Sequence, residues 1–335
     1  MKKILMTIAS LFILGMTFAQ NNGATVNQSG VLENADVTQT GSTNSVFVTQ
    51  TEDGTNSYST PEFYNTATIT QDGIGNYSTI EQSDIGGGGK VGNSAIINQV
   101  GNNNMSTQST YAPGYNSGQN VSADQIGSCN TVSQIIYKGY TDDFVTYQEG
   151  NHNEGSQEGS SITHNKAFIS SVGDFNIADQ KLSGGNNGYS TPITITQEGS
   201  SNTAGQYFSS TQQFSHVNSG YIEQAGNENS AVENVSGFNM TSSLIQHGEI
   251  NTAMSFQTGN NDVINGLQEG DGNSINTQQI GSFDNIDVVQ SASLNLSNII
   301  QSGDFNTTNI LQETDSNVSS VTQNGMNNVT NIVQH

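Results

Sequence analysis

The chain of 335 residues is acidic and polar: 6 Lys plus Arg stand against 29 Asp plus Glu, the formal net charge is -23, and 32% of residues are hydrophobic. That balance excludes a nucleic-acid phosphate backbone as a partner, which needs clustered Lys and Arg. A single cysteine, Cys129, excludes an intrachain disulfide and reads as a free thiol in a turn.

Residues 1–19, MKKILMTIASLFILGMTFA, place two lysines before an apolar run and end on small residues. This is the pattern of a secretory signal peptide, too short for a membrane anchor, so the mature chain is expected to begin near Gln20 and to be exported. Repetition starts at once, with NGATVNQ (22–28), ENADVTQ (33–39) and NSVFVTQ (44–50) spaced by eleven residues. A disturbed unit follows around Asn56–Glu62. Clean pairs resume at Asn65 and Asn76, then Asn93 and Asn104, and continue to Asn218 and Asn229. Within a pair the spacing stays eleven, and between pairs it stretches with Gly-, Ser-, Pro- and Tyr-rich insertions such as DIGGGGKVG (84–92) and TYAPGYNSG (110–118). From Gln224 the repeat runs without interruption: Gln246, Gln257, Gln268, Gln279, Gln290, Gln301, Gln312, Gln323 and Gln334 recur every eleven residues, with Val235 as the exception. The expected organisation is therefore residues 1–19 as signal peptide, 20–217 as repeats with insertions on one edge, and 218–335 as regular repeats.

A fixed internal period means one small unit stacked many times. Inside each unit, N-x5-Q-x-G-x-x, the hydrophobic period is two, which predicts a β-strand followed by a tight turn at the Gly. Insertions after every second unit make the structural repeat about 22 residues. The predicted fold is all-β, a two-sheet β-solenoid of strand-turn-strand rungs, with fourteen strands of the first type (Asn22 to Asn328) and thirteen of the second. One rung cannot stand alone, because ordering its backbone costs about 1–2 kcal/mol per residue. Stacking pairs the strand amides and aligns Asn on Asn and Gln on Gln, so their side-chain amides bond in ladders. The alternation points inward the ladder residues Asn65, Gln71, Asn76, Gln82, Asn251, Gln257, Asn273, Gln279, Asn295, Gln301, Asn306, Gln312, Asn317, Gln323, Asn328 and Gln334. With them go the inner apolar residues Ile69, Ile80, Val288, Ile299, Ile310, Val321 and Ile332. NVTNIVQ (328–334) reads as a first-type strand lacking a second-type partner, so the chain is expected to stop half a rung short.

The pattern N-x5-Q-x-G-x-x-N-x5-Q resembles the curlin repeat of curli fibre subunits, the functional amyloids of bacterial biofilms, over nearly all of residues 22–334. The resemblance implies inward Asn and Gln ladders and a secreted, fibre-forming structural protein of the cell surface or biofilm matrix, active in adhesion. It also implies a nucleating curlin-like subunit and an outer-membrane export pore as partners, and surface association rather than membrane insertion; head-to-tail contact with further copies is expected from the uncapped first and last strands. The Gly-rich leader of the family is not expected, since the repeat begins two residues after the cleavage site.

Catalytic patterns are missing, so no enzyme, cofactor or metal is expected. His152, His164, His216, His247 and His335 are scattered without metal-ligand spacing. Asp142 with Asp143 could form an acid/base pair but reads more simply as a solvated strand start, and DIGGGGK lacks the Lys-Ser/Thr end of a phosphate loop. The alternative function is a non-polymerising solenoid adhesin or an ice- or glycan-binding surface protein. Its outward threonines (Thr66, Thr68, Thr70, Thr194, Thr196) are interrupted by Ile96, Ser122, Val145 and Phe168.

Overall fold

The computed structural model describes residues 21–30, 33–52, 65–85, 92–113, 118–139, 141–162, 164–184, 193–210 and 218–335. The signal peptide, the unit at 56–62, and residues 86–91 and 114–117 of the DIGGGGKVG and TYAPGYNSG insertions lie outside the described residues, while Thr110–Pro113 belong to a strand. These contain no helix and twenty-six strands: β1 (Gly23–Ser29), β2 (Asn34–Ser42), β3 (Ser45–Glu52), β4 (Thr66–Ile74), β5 (Tyr77–Ile85), β6 (Ser94–Asn102), β7 (Met105–Pro113), β8 (Asn120–Ser128), β9 (Thr131–Tyr137), β10 (Asp143–Asn151), β11 (Glu154–Ser160), β12 (Lys166–Val172), β13 (Ile177–Ser183), β14 (Ile193–Glu198), β15 (Thr203–Ser209), β16 (Ser219–Ala225), β17 (Ser230–Phe238), β18 (Thr241–His247), β19 (Thr252–Asn260), β20 (Val263–Glu269), β21 (Ser274–Ser282), β22 (Asn285–Gln290), β23 (Leu296–Ser302), β24 (Thr307–Gln312), β25 (Val318–Asn324) and β26 (Val329–Gln334).

Odd-numbered strands form one 13-stranded sheet, A, and even-numbered strands another, B. Each strand pairs in parallel with the strand two further on, in a register that puts like on like, as in Ile310↔Ile332 and Gln312↔Gln334. This is the two-sheet β-solenoid expected from the period. The strand count differs: thirteen and thirteen, not fourteen and thirteen. β3 pairs with β5, so Asn22 and Asn44 share a sheet with Asn76, not with Asn65. Simple alternation of sheets at eleven-residue spacing therefore does not hold across residues 53–64. Consequently β26 completes the thirteenth rung together with β25, and the chain does not stop half a rung short.

The two connection types differ. From B to A the link is two to five residues, whereas all the long stretches (53–64, 86–91, 114–117, 185–192, 211–217) fall between an A strand and the next B strand.

Inward positions are sealed: Ile69, Ile80, Ile97, Ile299 and Val288 are buried, and large side chains are matched by gaps opposite them. Phe144 fills the space at Gly159, where a Cβ would stand 2.8 Å from its ring, and Phe208 does the same at Gly220 at 2.4 Å. Glycine two residues after Gln has a steric origin. At Gly226 (φ +123°) an added Cβ would stand 1.9 Å from Gly248 O of the next rung, so backbone stacks on backbone with no room for a side chain. The left-handed residue of the turn is the one preceding the inner Asn, among them Cys129, Phe175, Ile250, Leu294 and Phe305. The inner Asn itself does not take that conformation. Bulky residues tolerate it because their amides bond to the rung below, as Ile250 N does to Asn227 O at 3.0 Å.

Gly226→Ala should therefore lower the urea midpoint by the equivalent of about 1–3 kcal/mol, while Gly23→Ala, with nothing within 4 Å of its Cβ position, should leave it unchanged. Ile310 is buried and Leu311 half-buried on the outer face. Ile310→Asp buries an unpaired carboxylate and should destabilise by about 3–5 kcal/mol, against less than about 0.5 kcal/mol for Leu311→Asp. Circular dichroism during urea titration separates the two.

Candidate functional site

The chemistry of this molecule is concentrated in its inward amides. Gln71, Asn76, Gln82, Asn251, Gln257, Asn273, Gln279, Asn295, Gln301, Asn306, Gln312, Asn65 and Gln323 are buried, and Asn317, Asn328 and Gln334, on the last rung, are half-buried. Of the inner apolar residues, Ile69, Ile80, Val288, Ile299, Ile310 and Val321 are buried and Ile332 is half-buried. In sheet B the Gln Nε2 of one rung donates to the Gln Oε1 of the next: Gln39 to Gln71, Gln71 to Gln99, Gln99 to Gln125 and Gln125 to Gln148, at 2.8–3.0 Å. Ser171 interrupts the column and bonds through its hydroxyl to Gln197. The ladder then resumes and runs through Gln290, Gln312 and Gln334. Each Nε2 also donates to a backbone carbonyl of the opposite sheet, as Gln246 does to Ser230 O at 3.1 Å. One side chain thus ties two rungs and both sheets together.

The Asn column works differently. Asn251 Oδ1 accepts from the backbone N–H of Asn273, and its Nδ2 donates to Gly270 O, the turn carbonyl one rung on, at 2.8 Å. The turn glycine and the Asn are therefore one device. Where Ala292 and Thr314 replace the glycine, the device fails: Asn273 Nδ2 bonds its own turn at Glu269 O and Asn295 Nδ2 has no partner.

Reading one Gln column missed a second ladder. From β7 to β17 sheet A carries its glutamines two residues earlier, and Gln108, Gln134, Gln157, Gln180 and Gln206 bond in sequence at 2.8 Å, ending on Glu233. The signal was present as N-x3-Q: each stands four residues after Asn104, Asn130, Asn153, Asn176 and Asn202. The vacated slot holds Ile136, Leu182, Phe208 and Val235 in the core. Both ends of the displaced ladder leave a buried acceptor unpaired, Gln108 Oε1 and Gln257 Oε1, since Ile80 and Val235 before them offer no donor.

Buried acids occupy amide positions. Burial raises Glu233 well above the usual carboxylate range, against the pull of its bonds from Gln206 and Ser242. As a neutral acid it is close in shape to the Gln it replaces. In the first-strand Asn column, Asn306 Nδ2 donates to Gly325 O at 3.0 Å. Asp262 and Asp284 stand in the same column. Each uses Oδ1 to accept the next backbone amide, and each leaves Oδ2 buried without a partner. Burial, with repulsion from Asp284 and Asp304, pushes Asp262 up to about 7, and burial likewise raises Asp284. Asp142, in the same column, accepts from Asn165 N at 2.8 Å, whereas Asp143 points outward and accepts from Asn120 Nδ2. The two carboxylates thus lie on opposite faces of sheet B. Among the described residues no three His, Cys, Asp or Glu side chains are grouped to hold a metal.

A family model, Curlin associated repeat, matches residues 19–51. The chain thus carries a curlin repeat at residues 19–51. No curated protein sequence matches it. The matched segment covers β1, β2 and most of β3, and the parallel register carries its Asn, Gln and Gly columns into the rungs beyond. Among those further rungs, sheet A from β7 to β17 carries a variant in which the Gln column is displaced by one inward position.

The acids set the pH dependence. For Asp262 the folded value lies above the unfolded one, about 7 against 3.8, so its stabilisation is complete below about pH 4 and is lost as pH rises through 7. Asp262→Asn should restore a donor at all pH values, raise stability at pH 8 by roughly 1–3 kcal/mol, and flatten the decline between pH 4 and 8. Glu233→Gln should act in the same direction. Urea unfolding at pH 5 and pH 8 measures both.

Proposed function

We propose that this curlin-repeat protein is a secreted, non-enzymatic structural protein whose copies stack end to end into curli-like amyloid fibres at the cell surface or in the biofilm matrix, where they serve adhesion. The observation that carries this reading is the polarity of its first and last described rungs. The Gln–Gln bonds within the chain run one way, Nε2 of the earlier rung to Oε1 of the later one. At the C-terminal edge Gln334 Nε2 donates to Val318 O and keeps a second N–H for a following rung. At the other end no described rung precedes Gln28 and Gln39 to donate to their Oε1. Donors at one edge face acceptors at the other. A second copy continuing the coil would place its β1 on β25 and its β2 on β26, bringing Gln28 to Gln323, Gln39 to Gln334 and Val37 to Ile332. A head-to-head contact would oppose like groups. Such an open, non-closing contact grows as a filament.

The backbone supports the same direction. At the start of each strand the amide donates to the following rung, as Thr307 N does to Asn328 O and Ser45 N to Asn76 O, both at 2.8 Å. At the last rung the equivalent amide is that of Val329, whose side chain is 66% exposed. The family's usual extracellular setting supports a surface location. A nucleating curlin-like subunit and an outer-membrane export pore are the further partners this reading calls for.

Purified mature chain at neutral pH should form thioflavin-positive fibres with a reflection at about 4.7–4.8 Å. Val329→Pro removes the templating amide at a strand start, where proline is tolerated within the molecule. It should slow elongation on wild-type seeds at least tenfold with unchanged circular dichroism. Wild-type rates for this variant would show that the β25–β26 edge is not the growing contact.

A further inference from the structure

The outer face of sheet B changes character after β16. In one outward column the next five rungs carry Ile245, Leu267, Val289, Leu311 and Val333, stacked in register. The first four are half-buried, largely against one another, and Val333 is 57% exposed. On the N-terminal side the column is closed by Glu223, which is paired with His247 at 3.3 Å. The equivalent column of sheet A reads Phe256, Gln278, Ile300 and Thr322 over its last four rungs, so only sheet B offers an unbroken apolar ladder.

We infer that this ladder is a lateral pairing surface for a second copy of the chain, related by a two-fold axis parallel to the stack, so that each rung faces the same rung of its partner. The flanking columns decide the orientation. On one side of the ladder stand Ser243, Asn265, Asp287, Asn309 and Asn331, and on the other His247 and Glu269 and, just past the strand ends, Ser291, Glu313 and His335, the last two paired with each other at 2.5 Å. An axis along the stack sets one flank against the other: Glu269 meets Asn265, Asp287 meets Ser291, and Glu313 meets Asn309, so each carboxylate faces a side chain with a donor. An axis along the strands would instead set Glu269 against Glu313 and Asp287 against Asp287, and like charges brought together are costly. The spacing of rungs is the same in both copies by construction, so the apolar side chains of five rungs meet without slippage.

Five rungs at about 4.8 Å and five residues at about 3.3 Å make a footprint of roughly 400 Å² on each copy, about half of a standard interface. A single pair is therefore short-lived, and copies arrayed along a filament would repeat the contact once per subunit and hold firmly. The pairing itself needs no end-to-end growth.

The test uses the full mature chain with Cys129→Ser and one new cysteine, either Leu267→Cys or Val289→Cys, under mild oxidation. Asn276→Cys on the outer face of sheet A serves as the control. Both ladder cysteines should form disulfide dimers at least tenfold faster than the control, and Leu311→Lys added to Val289→Cys should abolish the gain. Equal rates for ladder and control overturn the surface. Dimers from Val289→Cys but not from Leu267→Cys overturn the axis, because a two-fold along the strands brings Val289 to Val289 and Leu267 to Leu311. Thioflavin growth, read in parallel, reports on end-to-end assembly alone. A chain that fails to elongate yet crosslinks keeps this inference and loses the filament, and Leu311→Lys should elongate at the wild-type rate.

Discussion

Everything in this molecule depends on one contact: the parallel, in-register seating of a rung on the next at the β-strand spacing. A rung holds too few apolar atoms to offset the entropy of ordering it, and its inward Asn and Gln would be costly to bury alone. Seated on a neighbour, the same residues become an asset. Where glutamine follows glutamine in sheet B, the amide gives one N–H along the stack and another to the opposite sheet, so most of a polar interior is satisfied through repetition. The low hydrophobicity that in an ordinary chain would signal disorder is here compatible with a closed interior, because the amides are partners for one another.

The same logic explains the places where the stack is imperfect. A ladder needs a donor below and an acceptor above. Where the facing rung offers no matching donor or acceptor, a group is stranded, as at Gln108, Gln257 and Asn295. Asp262, Asp284 and Glu233 are a second kind of imperfection, since each supplies the shape of an amide but donates only while protonated. Acid conditions therefore complete the stack and alkaline conditions loosen it at defined rungs, through residues that sit within the column and not on the surface.

Much of this was legible beforehand. The eleven-residue period, the alternation within NLSNIIQ or NTTNILQ, and the confinement of insertions to alternate junctions specify two parallel sheets and the inward placement of residues such as Ile299 and Gln301. Three features were not legible. The sheet assignment of Asn22 and Asn44 depends on which strands pair across residues 53–64, which local spacing does not encode. The turn glycine signals a tight turn in the sequence, whereas Gly226 is required by the carbonyl of Gly248 one rung away, a contact between residues 22 apart. The displaced Gln ladder was visible as N-x3-Q but was masked by hydrophobic residues such as Leu182 and Phe208 in the slot where glutamine was being sought.

That displaced ladder divides the coil into segments with different grammars. From β18 onward successive turns are 22 residues long and carry the same Gln columns, so excising one turn rejoins Gln with Gln. Between β7 and β17 sheet A uses a shifted alphabet, and splicing one of its turns into the later segment would set a glutamine over an aliphatic residue and strand both. Length is thus freely adjustable within a segment and guarded at the seams. The molecule behaves as a modular rod whose joints determine which modules are interchangeable.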